Sequence, residues 1–188
     1  MKRLNKAGFT LIELLAVITI MGILMMVAIP SVSRTIENSR RDTFADNALT
    51  YVNTVRNSVM ADEVECCTAT GCTATSTGDK TTVSATPNGT YYFAIDTTAQ
   101  ATKDIMEKVA TSSWGGAKLT GYVQWTKSTD ATTKRTTTTY SVCLEDSGDH
   151  GFSGMALESS VSRSKILTSG ADCTSSGKTA TGYVCILK

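Results

Sequence analysis

The sequence predicts an α+β fold: a long N-terminal α-helix packed on an antiparallel β-sheet, with a disulfide-stabilised C-terminal region. Three observations predict it. Residues 9–29 form a 21-residue apolar run whose only charge is Glu13. From Ser31 the residues Val32, Ile36, Phe44, Ala48, Val52, Val55 and Val59 keep helical spacing. Residues 66–188 are then rich in Thr, Ser and Gly, hold all six cysteines and break into short β-prone runs. At 188 residues and 20.0 kDa the chain is one ordinary domain rather than two. Charged residues at 19% and apolar residues at 41% exclude a charge-rich disordered chain and a multi-span membrane protein.

The first eight residues carry Lys2, Arg3 and Lys6 and no acid. The run that follows is long enough to cross a bilayer as a helix, since about 20 residues cover ~30 Å. The basic flank then stays cytoplasmic and the rest of the chain lies outside. A secretory signal peptide is the alternative. Its cleavage site fits Val27-Ala28-Ile29-Pro30-Ser31 poorly, and the apolar run exceeds its usual length. Glu13 is the anomaly, because a carboxylate costs roughly 2.5–3.5 kcal/mol at the centre of an inserted helix and less near the interface. Such a group has a partner or a task, and no basic residue follows within the run. The nearest candidate is an α-amino group, which requires a cut just before Phe9.

Gly8-Phe9-Thr10-Leu11-Ile12-Glu13-Leu14-Leu15 resembles the N-terminal motif of type IV pilins and their pseudopilin relatives. The resemblance implies that residues 1–8 are a class III leader removed by prepilin peptidase. The cut would fall between Gly8 and Phe9, with N-methylation of Phe9. It implies that Glu13, the fifth residue after the cut, meets the N-terminal amine of a neighbouring subunit. Pro30 stands where many pilins carry a helix-breaking proline. The implied architecture is pilin-like: residues 9–30 as the transmembrane and assembly half of the helix, 31–61 as its amphipathic half, and 62–188 as the sheet head. The implied partners are further copies of the chain in a helical filament, prepilin peptidase, an assembly ATPase and a membrane platform protein. The precursor would sit in the cytoplasmic membrane and the product at the cell surface. An amine and a carboxylate at ~4 Å attract by about 4 kcal/mol at an effective dielectric of 20, before desolvation. An unpaired buried charge costs several kcal/mol, so the pair acts mainly as a register device.

The helix is expected from about Phe9 to Met60. Pro30 lacks an N–H and Gly22 weakens the helix from within, so residues 22–30 are a place for a kink or for melting. Glu37 and Arg41 are four apart in the favourable order. Asp62-Glu63-Val64-Glu65 closes the helix against its dipole, which places the end near Ala61. Strands are expected at 90–95, 119–126, 137–144 and 182–187. Asn88-Gly89 is a turn signal that pairs 81–85 with 90–95 as a hairpin. Residues 101–112 read as a short helix and 129–136 as an exposed hairpin tip.

The six cysteines are Cys66, Cys67, Cys72, Cys143, Cys173 and Cys185. An even count in an exported domain favours disulfides, and the spacing does not choose among the pairings. Many type IV pilins have a disulfide-bounded region near the C-terminus, so the resemblance supports Cys173 with Cys185. Cys66 and Cys67 are then expected to bond to Cys72 and Cys143. Zinc held by Cys66, Cys67 and Cys72 is a competing reading, and no regular C-x-x-C pairs support it.

Weaker signals remain. Residues 145–151 concentrate acids as calcium loops do, without the twelve-residue calcium motif, and read as a solvated turn. Tyr91, Tyr92, Trp114 and Trp125 form either core or a binding surface, with core favoured on strands. Asn88-Gly89-Thr90 fits an N-glycosylation sequon. The one histidine, His150, has no nucleophile or metal motif around it. No phosphate-cradling loop or dinucleotide fingerprint is present. No cofactor is expected, and the chain reads as a non-enzyme. Three of the 18 basic residues lie in the leader, which leaves 15 against 17 acidic ones and argues against nucleic acid binding over the whole surface. The expected function is a structural subunit of a type IV pilus, serving adhesion, motility or DNA uptake. The alternatives are a pseudopilin of a type II secretion or competence system and a monomeric membrane-anchored binding domain.

Overall fold

In the computed structural model the described residues are 9–67, 80–82, 88–96, 110–116, 118–173 and 183–187. The chain divides into two units, residues 1–39 and 40–188. Helix α1 runs over Leu11–Met60. Within the first unit its large apolar side chains are exposed, from Phe9 at 91% to Ile36 at 49%. Val32 and Ile36, expected to face a sheet, are among them. Pro30 lies inside α1 and does not end it. A proline removes only its own N–H, here the donor to the Met26 carbonyl, and the ladder resumes on both sides.

In the second unit α1 buries Phe44, Ala45, Ala48, Tyr51, Val52, Val55, Ser58 and Val59. This is the stripe that the apolar spacing marked, joined by Ala45, Tyr51 and Ser58. The helix ends on a left-handed residue despite the following acids. Asp62 has φ 56°, its N–H donates to the Val59 carbonyl at 3.3 Å, and the Glu63 N–H donates to the Ser58 carbonyl at 3.0 Å. This is the Schellman arrangement with aspartate in the usual glycine place. It satisfies carbonyls that the acids themselves cannot.

Among the described residues nine strands follow: β1 Val64–Cys67, β2 Lys80–Thr82, β3 Gly89–Asp96, β4 Leu119–Thr129, β5 Thr136–Asp146, β6 Gly151–Phe152, β7 Ala156–Leu157, β8 Ile166–Leu167 and β9 Tyr183–Leu187. Their order is β2-β1-β9-β3-β4-β5-β6-β8, with β7 on β5. All pairs are antiparallel except β3 with β9. The fold is the pilin-like α+β fold, with one parallel pair because the last strand inserts between β1 and β3. Strand β2 pairs with β1, so the hairpin expected between 81–85 and 90–95 does not form. The short helix expected at 101–112 falls mostly outside the described residues, and 110–112 are not helical.

Strand alternation sorts the sheet into two faces. Tyr91, Phe93, Val123, Trp125, Tyr140 and Val142 share one buried cluster with the helix stripe. Tyr91 and Trp125 are register partners, stacked at 4.2 Å and 15°. These two aromatics are core, while Tyr92 and Trp114 are half-buried. Arg56 sits over the Tyr140 ring at 4.8 Å and pairs with Glu158. Gly121, at φ 150°, lets β4 and β5 close: a Cβ there would lie 2.1 Å from the Cys143 carbonyl oxygen. The hairpin tip forms as expected, with Asp130 Oδ1 accepting the Thr132 and Thr133 N–H groups at 2.9 and 2.6 Å.

Candidate functional site

The candidate site is the start of α1. Gly8 lies outside the described residues, and Phe9 is 91% exposed. Thr10 and Glu13 form a capping box. The Glu13 carboxylate oxygen Oε2 accepts the Thr10 N–H at 2.8 Å and the Thr10 hydroxyl at 2.8 Å, and the Glu13 N–H donates to Thr10 Oγ1 at 3.4 Å. Two donors that a helix start leaves orphaned are thereby satisfied. The sequence reading named Glu13 and passed over Thr10. The signal was present as Thr-x-x-Glu ahead of an apolar run. Glu13 therefore has an intramolecular partner within the single chain. All three contacts use Oε2 or the backbone, which leaves Oε1 open to a further donor.

Apart from Thr10, the helix surface around Glu13 is apolar, with Leu11 83%, Ile12 73%, Leu14 63% and Val17 51% exposed. This segment is long and apolar enough to cross a membrane. Pro30, the other residue assigned to assembly, is helical and exposed and makes no contact with Glu13's turn, since it lies 17 residues further along the chain.

In the second unit the cysteines correct the sequence reading. Cys66 bonds to Cys185 and Cys143 to Cys173, so Cys173 does not bond to Cys185 and Cys66 is bonded to neither Cys72 nor Cys143. The reason is register. Cys66 and Cys185 are direct cross-strand partners of β1 and β9, and that pairing exists only because β9 inserts at the sheet centre. Cys143 faces the segment that ends at Cys173, where the Cys173 N–H donates to Glu145 Oε2 at 2.7 Å. Bonded to Cys185, Cys66 is unavailable as a zinc ligand. The Cys72 residue and the Cys67 side chain lie outside the described residues.

The acidic loop is organised around Asp146, which is 5% exposed. Its carboxylate accepts Ser112 Oγ at 2.5 Å, the Gly148 N–H at 2.8 Å, the His150 N–H at 3.0 Å and lies 3.0 Å from His150 Nδ1. Burial alone would raise its pKa. The Ser112 hydroxyl first, then the His150 and Gly148 groups, outweigh that and hold it below the ordinary carboxylate value. The His150 ring stacks on Trp114 at 4.5 Å and 6°. Hydrogen-bond donors thus surround the carboxylate, an arrangement that fastens a loop. Among the described residues no group of three or more His, Cys, Asp or Glu is placed to hold a metal.

No curated protein and no solved structure matches the chain. Residues 3–29 match the family model described as the prokaryotic N-terminal methylation motif. That match spans the basic leader, the Gly8-Phe9 junction, the Thr10–Glu13 box and the apolar run. Proteins with this class III signal are processed by prepilin peptidase, serve pilus or secretion assembly, and are structural rather than enzymatic. Residues 3–29 thus carry the signal of type IV pilin-like prepilins, and that signal together with the apolar helix fits a membrane-anchored precursor.

Proposed function

We propose that this protein is the structural subunit of a type IV pilus filament, supporting adhesion, motility or DNA uptake at the cell surface. The observation that carries the reading is the one carboxylate, Glu13, near the start of the otherwise uncharged apolar run 9–29, whose large apolar side chains are all exposed. Such a surface needs lipid or other copies of itself to cover it. Cleavage after Gly8 would create an amine at Phe9. Glu13 Oε1 would then receive the amine of a neighbour while Oε2 keeps its Thr10 contacts. Pro30 would be a site where the helix opens on leaving the membrane. The assembly ATPase and platform protein would act on the membrane-held precursor.

A pseudopilin shares every residue of the motif, so the same N-terminus supports that second reading. The six cysteines and broad Thr-rich head favour a surface-exposed fibre. The test is Glu13→Gln and Glu13→Ala in cells. Both are expected to abolish sheared surface fibres while the accumulated protein keeps both disulfides. Normal amounts of fibre from both variants would refute the role given to Glu13. Fibres seen only when the gene is overexpressed, and short ones at that, would favour the pseudopilin.

A further inference from the structure

Strand β5 pairs along its whole length with β4, from Thr136 opposite Thr129 to Asp146 opposite Leu119. Its other side is covered only in part. β6 pairs there at Glu145, and β7 at Val142 and Ser141. Among the described residues no strand lies beside Thr136–Tyr140. The reason is a change of direction. β7 ends at Leu157, opposite Ser141, and Glu158–Ser160 form a short helical turn that leaves the line β7 had begun.

The two ends of β5 fix which backbone groups face this open lane. At one end the Arg135 carbonyl accepts the Asp130 N–H at 3.0 Å, on the β4 side. At the other the Asp146 N–H donates to the His150 carbonyl at 2.8 Å, on the β6 side. The register between them is unbroken, and the backbone of an antiparallel strand turns to alternate sides. Odd-numbered residues of β5 therefore bond to β4. Thr136, Thr138 and Tyr140 turn their N–H and C=O groups to the lane. Beside it lies a groove of about 530 Å³ whose lining includes Arg56, Met60, Tyr140, Leu157 and Glu158. Met60 and Leu157 are exposed apolar side chains, and Glu158 is the groove's one carboxylate.

We propose that this edge pairs with the same edge of a second copy of the chain, antiparallel, about a two-fold axis at Thr137. An open row of backbone donors and acceptors is a template for another strand. The second copy fits it for three reasons. Thr136–Tyr140 carry no charge, so pairing the segment with itself sets no like charges opposite one another. The register is also bounded. An axis at Thr138 would bring residue 135 of the second copy opposite Ser141, where Leu157 already sits. An axis at Thr137 stops at Lys134, opposite Tyr140. Thr136 then exchanges both backbone bonds with Thr138 of the second copy, and Thr138 does so with its Thr136. The third reason is charge. Lys134 is exposed, and its side chain has no partner among the described residues. In this register it arrives at the groove, where its apolar stem lies along Met60 and Leu157 and its ammonium reaches Glu158. The two-fold axis makes each of these contacts twice. The pairing does not rest on the filament reading, and either can fail alone.

The test is disulfide cross-linking of the full chain in detergent micelles, read on non-reducing gels and by peptide mapping. In the Thr137→Cys variant the two new thiols face each other across the axis, about 4.5 Å apart at Cα. In the Thr132→Cys variant, on the exposed hairpin tip, they stand about 34 Å apart. The first is expected to form covalent dimers at least about tenfold faster than the second. Adding Thr138→Pro removes an N–H that faces the lane and leaves the β4 ladder whole, so the fold is kept. It is expected to slow the Thr137→Cys cross-link by about tenfold. Lys134→Glu, which leaves the backbone intact, is a second variant and is also expected to slow it. Hydrogen exchange supplies an independent reading. The Thr138 and Tyr140 amides are expected to exchange freely in dilute protein and to gain protection as concentration rises. Three results would overturn the proposal. Equal cross-linking of the Thr137→Cys and Thr132→Cys variants would mean that copies meet only through their apolar helices. Cross-linking untouched by both Thr138→Pro and Lys134→Glu would remove the strand pairing. Protection of the two amides already at high dilution would mean that the lane is filled within one chain.

Discussion

Replacing Cys66 and Cys185 together by alanine removes the cross-link between β1 and β9. The bond joins residues 119 apart and encloses the 30-residue span between Cys143 and Cys173. In the chain-entropy account the inner bond stabilises by about 3.7 kcal/mol. With that bond in place the outer loop is effectively about 90 residues long and contributes about 4.6 kcal/mol. The packing lost on truncation is similar in both cases, since Cys66, Cys143, Cys173 and Cys185 are all 3% exposed or less. The outer pair should therefore cost about 1 kcal/mol more than the inner one. Urea unfolding of the chain in detergent, followed by tryptophan fluorescence, reads this difference, because Trp125 is 1% exposed in the core. At a slope of about 2 kcal/mol per molar the two double variants should separate by about 0.5 M in midpoint. A larger loss from Cys143→Ala with Cys173→Ala would refute the reasoning. So would a non-reduced peptide map linking Cys173 to Cys185.

Four further outcomes are expected. Asp146→Asn should lower stability at neutral pH. The carboxylate's pKa is held below its unfolded value, so its contribution is present above about pH 3.9 and fades as pH falls through the folded pKa. The gap between wild type and variant should narrow in acid, and a constant gap down to pH 2 would contradict this. Gly121→Ala should destabilise by more than about 1 kcal/mol in the same urea assay, because the new Cβ meets the Cys143 carbonyl. Arg56→Ala should cost about 1 kcal/mol through its pairing with Glu158 and its place over Tyr140, and Arg56→Lys should recover part of it. Thr10→Val should free the first turn of α1, seen as faster hydrogen exchange at residues 11–13 in micelles, at a cost of about 1 kcal/mol.

The long helix was legible because its signals are local. Apolar length marked its first half and 3.6-residue spacing its second, down to Phe44, Ala48, Val52, Val55 and Val59. The main strands were legible for the same reason. What local reading missed was set by pairing between distant segments. Nothing near Tyr183 says that the last strand inserts between β1 and β3, and the partner of Cys66 follows from that insertion alone. Val64 and Glu65 looked like part of a poor helix end with Asp62 and Glu63 rather than the start of strand β1, because its neighbours β2 and β9 lie far off in sequence. The hairpin inferred at Asn88-Gly89 failed through the same competition, since β2 found β1. At the candidate site, Glu13 stood out by its cost in an apolar run. Thr10 did not, because a threonine at a helix start is unremarkable until the glutamate three residues on is read with it. Asp146 was hidden among acids and became distinct only when Ser112 was folded against it.

Under the proposed function, a cut before Phe9 turns the precursor into a filament subunit. The most direct test is the mass of the N-terminal peptide of the protein recovered from sheared surface fibres. A chain that begins at N-methylated Phe9 is expected in that fraction. A chain that still begins at Met1, recovered only from membranes, would contradict it.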